Sequence, residues 1–109
     1  MDVALQRRIA ENEALFRQIN ERIEQGRWPG EADGPLTLRC ECARLGCNDM
    51  LELMPSRYEQ VRSHPRRFIV LPGHEVPDAE TVVERGPSYV VVEKLGEAGE
   101  MAEETDPRG

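Results

Sequence analysis

The segment Cys40-Glu-Cys42-Ala-Arg-Leu-Gly-Cys47 gathers all three cysteines of the chain into a C-x-C-x4-C pattern. Thiolates are soft donors, and Zn2+ is a borderline-soft ion that takes sulfur and nitrogen ligands in a tetrahedron. Gly46 allows the loop to double back so that Cys47 meets the first pair. Three thiolates leave one tetrahedral corner, and the chain offers two histidines for it. His74 lies in Pro72-Gly73-His74 behind an apolar run, where a glycine turn can present an imidazole. His64 lies beside Pro65 at a helix end. Two other chemistries fit the same cysteines: a thiol redox or disulfide site, and buried thiols acting as small hydrophobes. A water in the fourth position would instead give an open metal site, with Glu41 or Glu75 as base. No glycine-rich phosphate loop and no Ser/His/Asp set accompanies the cluster. The expectation is a structural Zn2+ held by Cys40, Cys42, Cys47 and His74, with His64 as the second candidate for the fourth corner, in a protein that is not an enzyme.

The elements that must position these residues can be read from periodicity. Leu5, Ile9, Asn12, Phe16, Ile19 and Ile23 alternate at spacings of four and three, which predicts one helix from Asp2, its N-cap, to Gln25, stopped by Gly26. The stripe admits two roles. It folds back on the core, or it forms a coiled-coil arm with Asn12 as the polar seam residue. Residues 27–35 read as a linker rich in glycine and proline, with Trp28 as a packing anchor. Leu36, Leu38 and Cys40 alternate as a strand, and Met50, Leu51 and Leu53 suggest a second one. Ser56-x-x-Glu59 has the form of a capping box opening a short helix, with Tyr58 and Val61 inward and Pro65 as its stop. Phe68 to Leu71 is an apolar strand. Thr81–Glu84 and Ser88–Glu93 form a hairpin about Gly86-Pro87, in which Tyr89 and the three valines after it give the strongest strand signal.

The fold class that follows is α+β. A long N-terminal amphipathic helix (1–26) and the linker (27–35) lead into a metal-stapled domain (36–95). That domain holds a small, mainly antiparallel sheet, one short helix and the cysteine loop. An acidic flexible tail (96–109) follows. A domain this small buries little apolar surface, so a staple has a physical reason to be present.

The formal net charge of −7 resides in the last third, where ten acids face Arg85, Lys94 and Arg108. That balance disfavours nucleic acid as a partner, because such proteins present a dominant basic surface. Arg57, Arg62, Arg66 and Arg67 form a local basic stretch, expected to pair with the hairpin and the acidic tail. Lys94 is the only lysine beside thirteen arginines. No stretch has the roughly 18 to 20 apolar residues that span a bilayer. The opening residues carry no apolar signal core, and three cysteines cannot all pair internally. These features predict a cytoplasmic protein whose partner is another protein, or a second copy met through the N-terminal helix.

The cysteine spacing is similar to the post-SET zinc loop of lysine methyltransferases, in which three cysteines are completed by a ligand from elsewhere; nothing else in the chain resembles a methyltransferase. Across most of its length the chain resembles a family of small actinobacterial proteins without an assigned activity. The resemblance rests on Ile19-Asn-Glu-Arg-Ile23, Cys40-Glu-Cys42 with Cys47, and Tyr58-Glu-x-Val61-Arg62. It continues through Pro65 to Phe68, Pro72-Gly-His74, Tyr89 to Lys94 and Asp106-Pro-Arg108. It implies that Cys40, Cys42, Cys47 and His74 act together as one site.

Overall fold

A run without glycine or proline, rich in Glu, Arg, Gln, Ala and Leu, makes the first helix, α1, over Val3–Gln25. Gly26 donates its N–H to Arg22 O at 2.9 Å and ends it. The computed structural model describes residues 3–26 and 34–108. The N-cap expected at Asp2, Trp28 and most of the linker therefore lie outside the described residues. The chain continues with β1 (Leu36–Arg39), β2 (Met50–Leu53), α2 (Pro55–Arg62) and β3 (Arg67–Val70). It ends with β4 (Glu80–Arg85), β5 (Val90–Lys94) and α3 (Gly96–Glu104). The class is α+β, as the patterning predicts.

β1 and β2 pair antiparallel, with Leu36 opposite Leu53 and Leu38 opposite Leu51. All four leucines are buried. The second sheet has the order β3-β5-β4 and is antiparallel throughout. β5 is its central strand, and Val90, Val91 and Val92 are all buried, which explains an unbroken apolar run where an edge strand would alternate. The two sheets are joined where β1 ends. There Glu41 donates its N–H to Ile69 O at 2.8 Å, and its carboxylate accepts the N–H of Ile69 at 3.1 Å. Tyr58 and Val61 of α2 close the core, as their spacing predicts.

Three expectations need correcting. The capping box does not form: α2 starts at Pro55 with Met54 as N-cap and no side-chain cap bond, and the Glu59 carboxylate pairs with Arg108 instead. Proline supplies the helical φ at the first turn, so the serine signal three residues ahead of a glutamate is superseded. The expected flexible tail forms α3 and continues in ordered contacts: Ala102 is buried, Arg66 pairs with Glu103, Asp106 with Arg62, and Arg108 with Glu21 and Glu59. Its anchors are charges and a backbone carbonyl, so a sequence poor in large apolar groups gives no sign of them.

The third correction concerns α1. The helix packs on the domain, against β1 and α3, but not through its apolar stripe. Its buried side chains are Glu13, Arg17, Asn20 and Glu21, whereas Ile9, Phe16, Ile19 and Ile23 are only half-buried along one flank. Each buried side chain meets a polar counterpart. Glu13 faces Lys94, which also meets Glu80, both at 2.5 Å. Arg17 donates to Pro65 O at 2.8 Å and Ala102 O at 2.7 Å, and its guanidinium lies 4.2 Å above the centre of the Phe68 ring. Asn20 accepts from Arg39 N at 2.8 Å and donates to Arg39 O at 3.0 Å and Glu41 Oε2 at 2.7 Å. Glu21 binds Arg62 at 2.7 Å and Arg108 at 2.6 Å. The basic stretch is likewise paired: Arg57 with Glu84, Arg62 with Glu21 and Asp106, Arg66 with Glu103 and Arg67 with Glu93.

This layer shifts titrations in opposite directions. Asp106 and Glu21 are held below the usual carboxylate range by arginine contacts that outweigh their burial. Burial instead raises Glu13 from 4.5 to about 7, because it exceeds the pull of Lys94. A carboxyl that holds its proton to higher pH when folded makes stability fall as pH rises from the unfolded value to the folded one. Wild type is therefore expected to lose stability relative to Glu13→Gln between pH ~4.5 and ~7, on the order of 3 kcal/mol, and to run parallel to it above that. Urea melts of both proteins across pH 4–9 measure this difference; parallel curves throughout would show that Glu13 ionises as it does in the unfolded chain.

Candidate metal centre

The cysteine loop begins where β1 ends. Extended backbone sends alternate side chains to opposite sides, so Cys40 and Cys42 share one side while Glu41 turns to the other, onto Asn20 and the Ile69 N–H. Both cysteines are buried. Cys40 N–H bonds to Asp49 O at 2.9 Å, which closes the base of the loop. Inside it, Gly46 takes a φ of +86°, a left-handed conformation that disfavours a Cβ, and Cys47 N–H bonds back to Arg44 O at 3.1 Å. Cys47 thereby returns toward the first pair.

The fourth donor arrives from the end of β3. Leu71 donates its N–H to Cys40 Sγ at 3.2 Å, and His74 N–H bonds to Leu71 O at 3.0 Å, making a turn through Gly73 with φ +89°. Glu75 accepts the Gly73 N–H at 2.9 Å, and Arg44 reaches from the cysteine loop to Gly73 O, also at 2.9 Å. The loop and the turn are thus tied together apart from any ligand.

These elements bring Cys40, Cys42, Cys47 and His74 into one group whose donor atoms all lie within 4.8 Å of one another, an arrangement that could hold a metal ion. His74 Nδ1 is 3.6 Å from Cys40 Sγ and 3.8 Å from Cys47 Sγ. In a zinc tetrahedron, metal–sulfur bonds of ~2.3 Å and a metal–nitrogen bond of ~2.05 Å put sulfur and nitrogen roughly 3.5 Å apart. The two separations fall close to that edge. Nε2 of the same ring faces Asp49 Oδ2 at 3.8 Å. A carboxylate on the far side of a ligating imidazole favours the tautomer that leaves the near nitrogen free to bind.

None of the three cysteines is in a disulfide. The sulfurs polarise one another: a hydrogen bond from Cys40 draws Cys42 down to about 4, the same bond and burial push Cys40 up, and burial raises Cys47. A thiol drawn down in this way favours the thiolate, the form that ligates a metal.

His64, the other histidine considered from sequence, is exposed in the turn after α2 and does not join the group. Glu41 cannot serve as the base of an open site, since its carboxylate is buried on the far side of the strand. Glu75 is engaged in capping the Gly73 turn. Two features escaped the sequence reading. Asp49 lies two residues beyond Cys47 and carries no signal of its own. The polar row Glu13, Arg17, Asn20, Glu21 follows helical spacing and was legible in principle as a face. No protein-family model, no curated protein and no solved structure matches the chain. Among the described residues, no helix is long and apolar enough to cross a membrane.

Proposed function

We propose that the protein binds one Zn2+ as a structural staple, through the sulfurs of Cys40, Cys42 and Cys47 and Nδ1 of His74, and that it acts as a protein-interaction module. The observation that carries the first half is the convergence of three sulfurs and one imidazole nitrogen at separations suited to a zinc tetrahedron. A set of soft donors favours zinc over magnesium or calcium, which take oxygen. Four protein donors close the coordination sphere, and a closed sphere stabilises a fold without offering a position for water or substrate. The ion would clamp the end of β1 to the turn after β3, joining the two sheets where a chain this small has little apolar surface to do so.

The second half rests on α1. Val3 and Leu15 are 68% and 51% exposed, and Leu5, Phe16 and Ile19 add partly exposed apolar surface along the same helix. Such a flank is suited to another helix, from a partner protein or a second copy.

Elemental analysis of untagged protein, purified without added metal, tests the reading together with partner recovery by a Leu15→Asp variant. About one zinc per chain is expected in both proteins, with partner recovery or self-association lost only in Leu15→Asp. A folded wild type without metal would overturn the staple, and unchanged recovery would remove α1 from the interaction. Reversible release of the ion by mild peroxide would turn the reading toward a thiol-based sensor.

A further inference from the structure

A cleft of about 80 Å3 opens between α1, α3, the segment before β4 and Ala43 at the back of the cysteine loop. By this measure one water needs roughly 10–15 Å3, so the cleft has room for a chain of about five heavy atoms. Alanines from four separate segments leave it open: Ala10 of α1, Ala43 of the cysteine loop, Ala79 before β4 and Ala98 of α3. Ile9 and Met101 supply apolar wall, and Glu13 and Lys94 stand in the same lining. The last two are 5% and 3% exposed, so the cleft pairs apolar walls with a buried charged group.

The charged groups are unequally satisfied. Lys94 lies between Glu13 and Glu80, two carboxylates for one ammonium. Glu80 also accepts the Val76 N–H at 2.7 Å. Among the described residues the polar partner of Glu13 is Lys94, and Glu13 is the carboxylate that lines the cleft. Arg17, stacked on the Phe68 ring, donates to two carbonyls. Once Glu13 is ionised, an anion entering the cleft would meet two carboxylates against one ammonium, whereas a cation would relieve that excess.

We infer that this cleft binds a small primary alkylammonium ion, with its ammonium on the Glu13 carboxylate and its chain against Ile9, Ala98 and Met101. A charge-assisted hydrogen bond at one end and a short apolar slot at the other select an amine of about four carbons over its neutral or anionic counterparts.

The test is an amide NMR titration of the metal-replete full chain with n-butylammonium chloride, n-butanol and sodium butyrate in parallel. Saturable shifts around Ala10, Ala79 and Ala98 are expected for the ammonium, in the millimolar range suited to so small a ligand. Butanol and butyrate should bind about tenfold more weakly or not at all. Glu13→Gln should weaken the ammonium by a similar factor. Ala98→Leu, a half-buried position where added bulk fills the slot, should abolish binding while the rest of the spectrum stays in place. Equal binding of butanol, retained binding in Ala98→Leu, or shifts that never saturate would each overturn the inference.

Discussion

Cys40→Ser is expected to yield protein that does not melt cooperatively, even with zinc in excess. Cys40 is buried, and its sulfur accepts the Leu71 N–H and lies 3.6 Å from His74 Nδ1, so it touches both segments that the proposed ion would join. Zinc binding in small structural sites amounts to roughly 10–16 kcal/mol, as large as the whole stability of a domain, commonly about 5–15 kcal/mol. Serine at this position is a poor zinc ligand and places a buried hydroxyl where a soft sulfur belongs. Chelation of the wild type should produce the same unfolded spectrum. The measurement is near-ultraviolet circular dichroism during heating, with metal content determined on the same samples. A cooperative transition close to that of the wild type, with one ion retained, would take Cys40 out of the ligand set.

The second large effect is expected at Arg17, far from the cysteines. Its guanidinium is fully buried and donates to carbonyls 48 and 85 residues away while covering the Phe68 ring. Arg17→Met keeps much of the volume but leaves both carbonyls without their donor. Breaking one side of such a buried polar arrangement costs roughly 3–5 kcal/mol, which for a domain near 100 residues lowers Tm by about 12 °C or more. Arg17→Lys should not restore the loss, because one ammonium on a different stem does not reproduce a planar fork reaching two acceptors. Thermal melts with zinc saturating distinguish the two cases. A lysine variant as stable as the wild type would mean that charge alone, and not the fork, holds α1 in place.

The parts of the molecule that were legible in the sequence are those whose signal is local. The three cysteines lie within one loop, and the valines of β5 and the alternation of β1 announce their strands through their own neighbours. His74 was placed ahead of His64 by the turn chemistry of Pro72 and Gly73, and it is His74 that lies beside the three cysteines. What could not be read is whatever depends on distant partners. The apolar stripe of α1 suggested its inward face, yet Lys94, Pro65 O and Ala102 O draw in the polar row beside it. The same holds for α3, where Ala102 is buried because Arg17 reaches its carbonyl. Periodicity reports which residues share a face, but a face of Glu, Arg and Asn goes inward only when matching charges wait there, and nothing in the local sequence says so.

The placement of Lys94 has a consequence for covalent chemistry. It is the chain's only lysine, and it is enclosed between two carboxylates and α1. Acylating enzymes, isopeptide-forming ligases and amine-directed crosslinkers therefore meet no ε-amino group on the folded surface. The positively charged side chains that the surface does present are guanidinium groups, so its reactivity and labelling are those of arginine. An ε-amino group that became modifiable would itself report that α1 had left its seat.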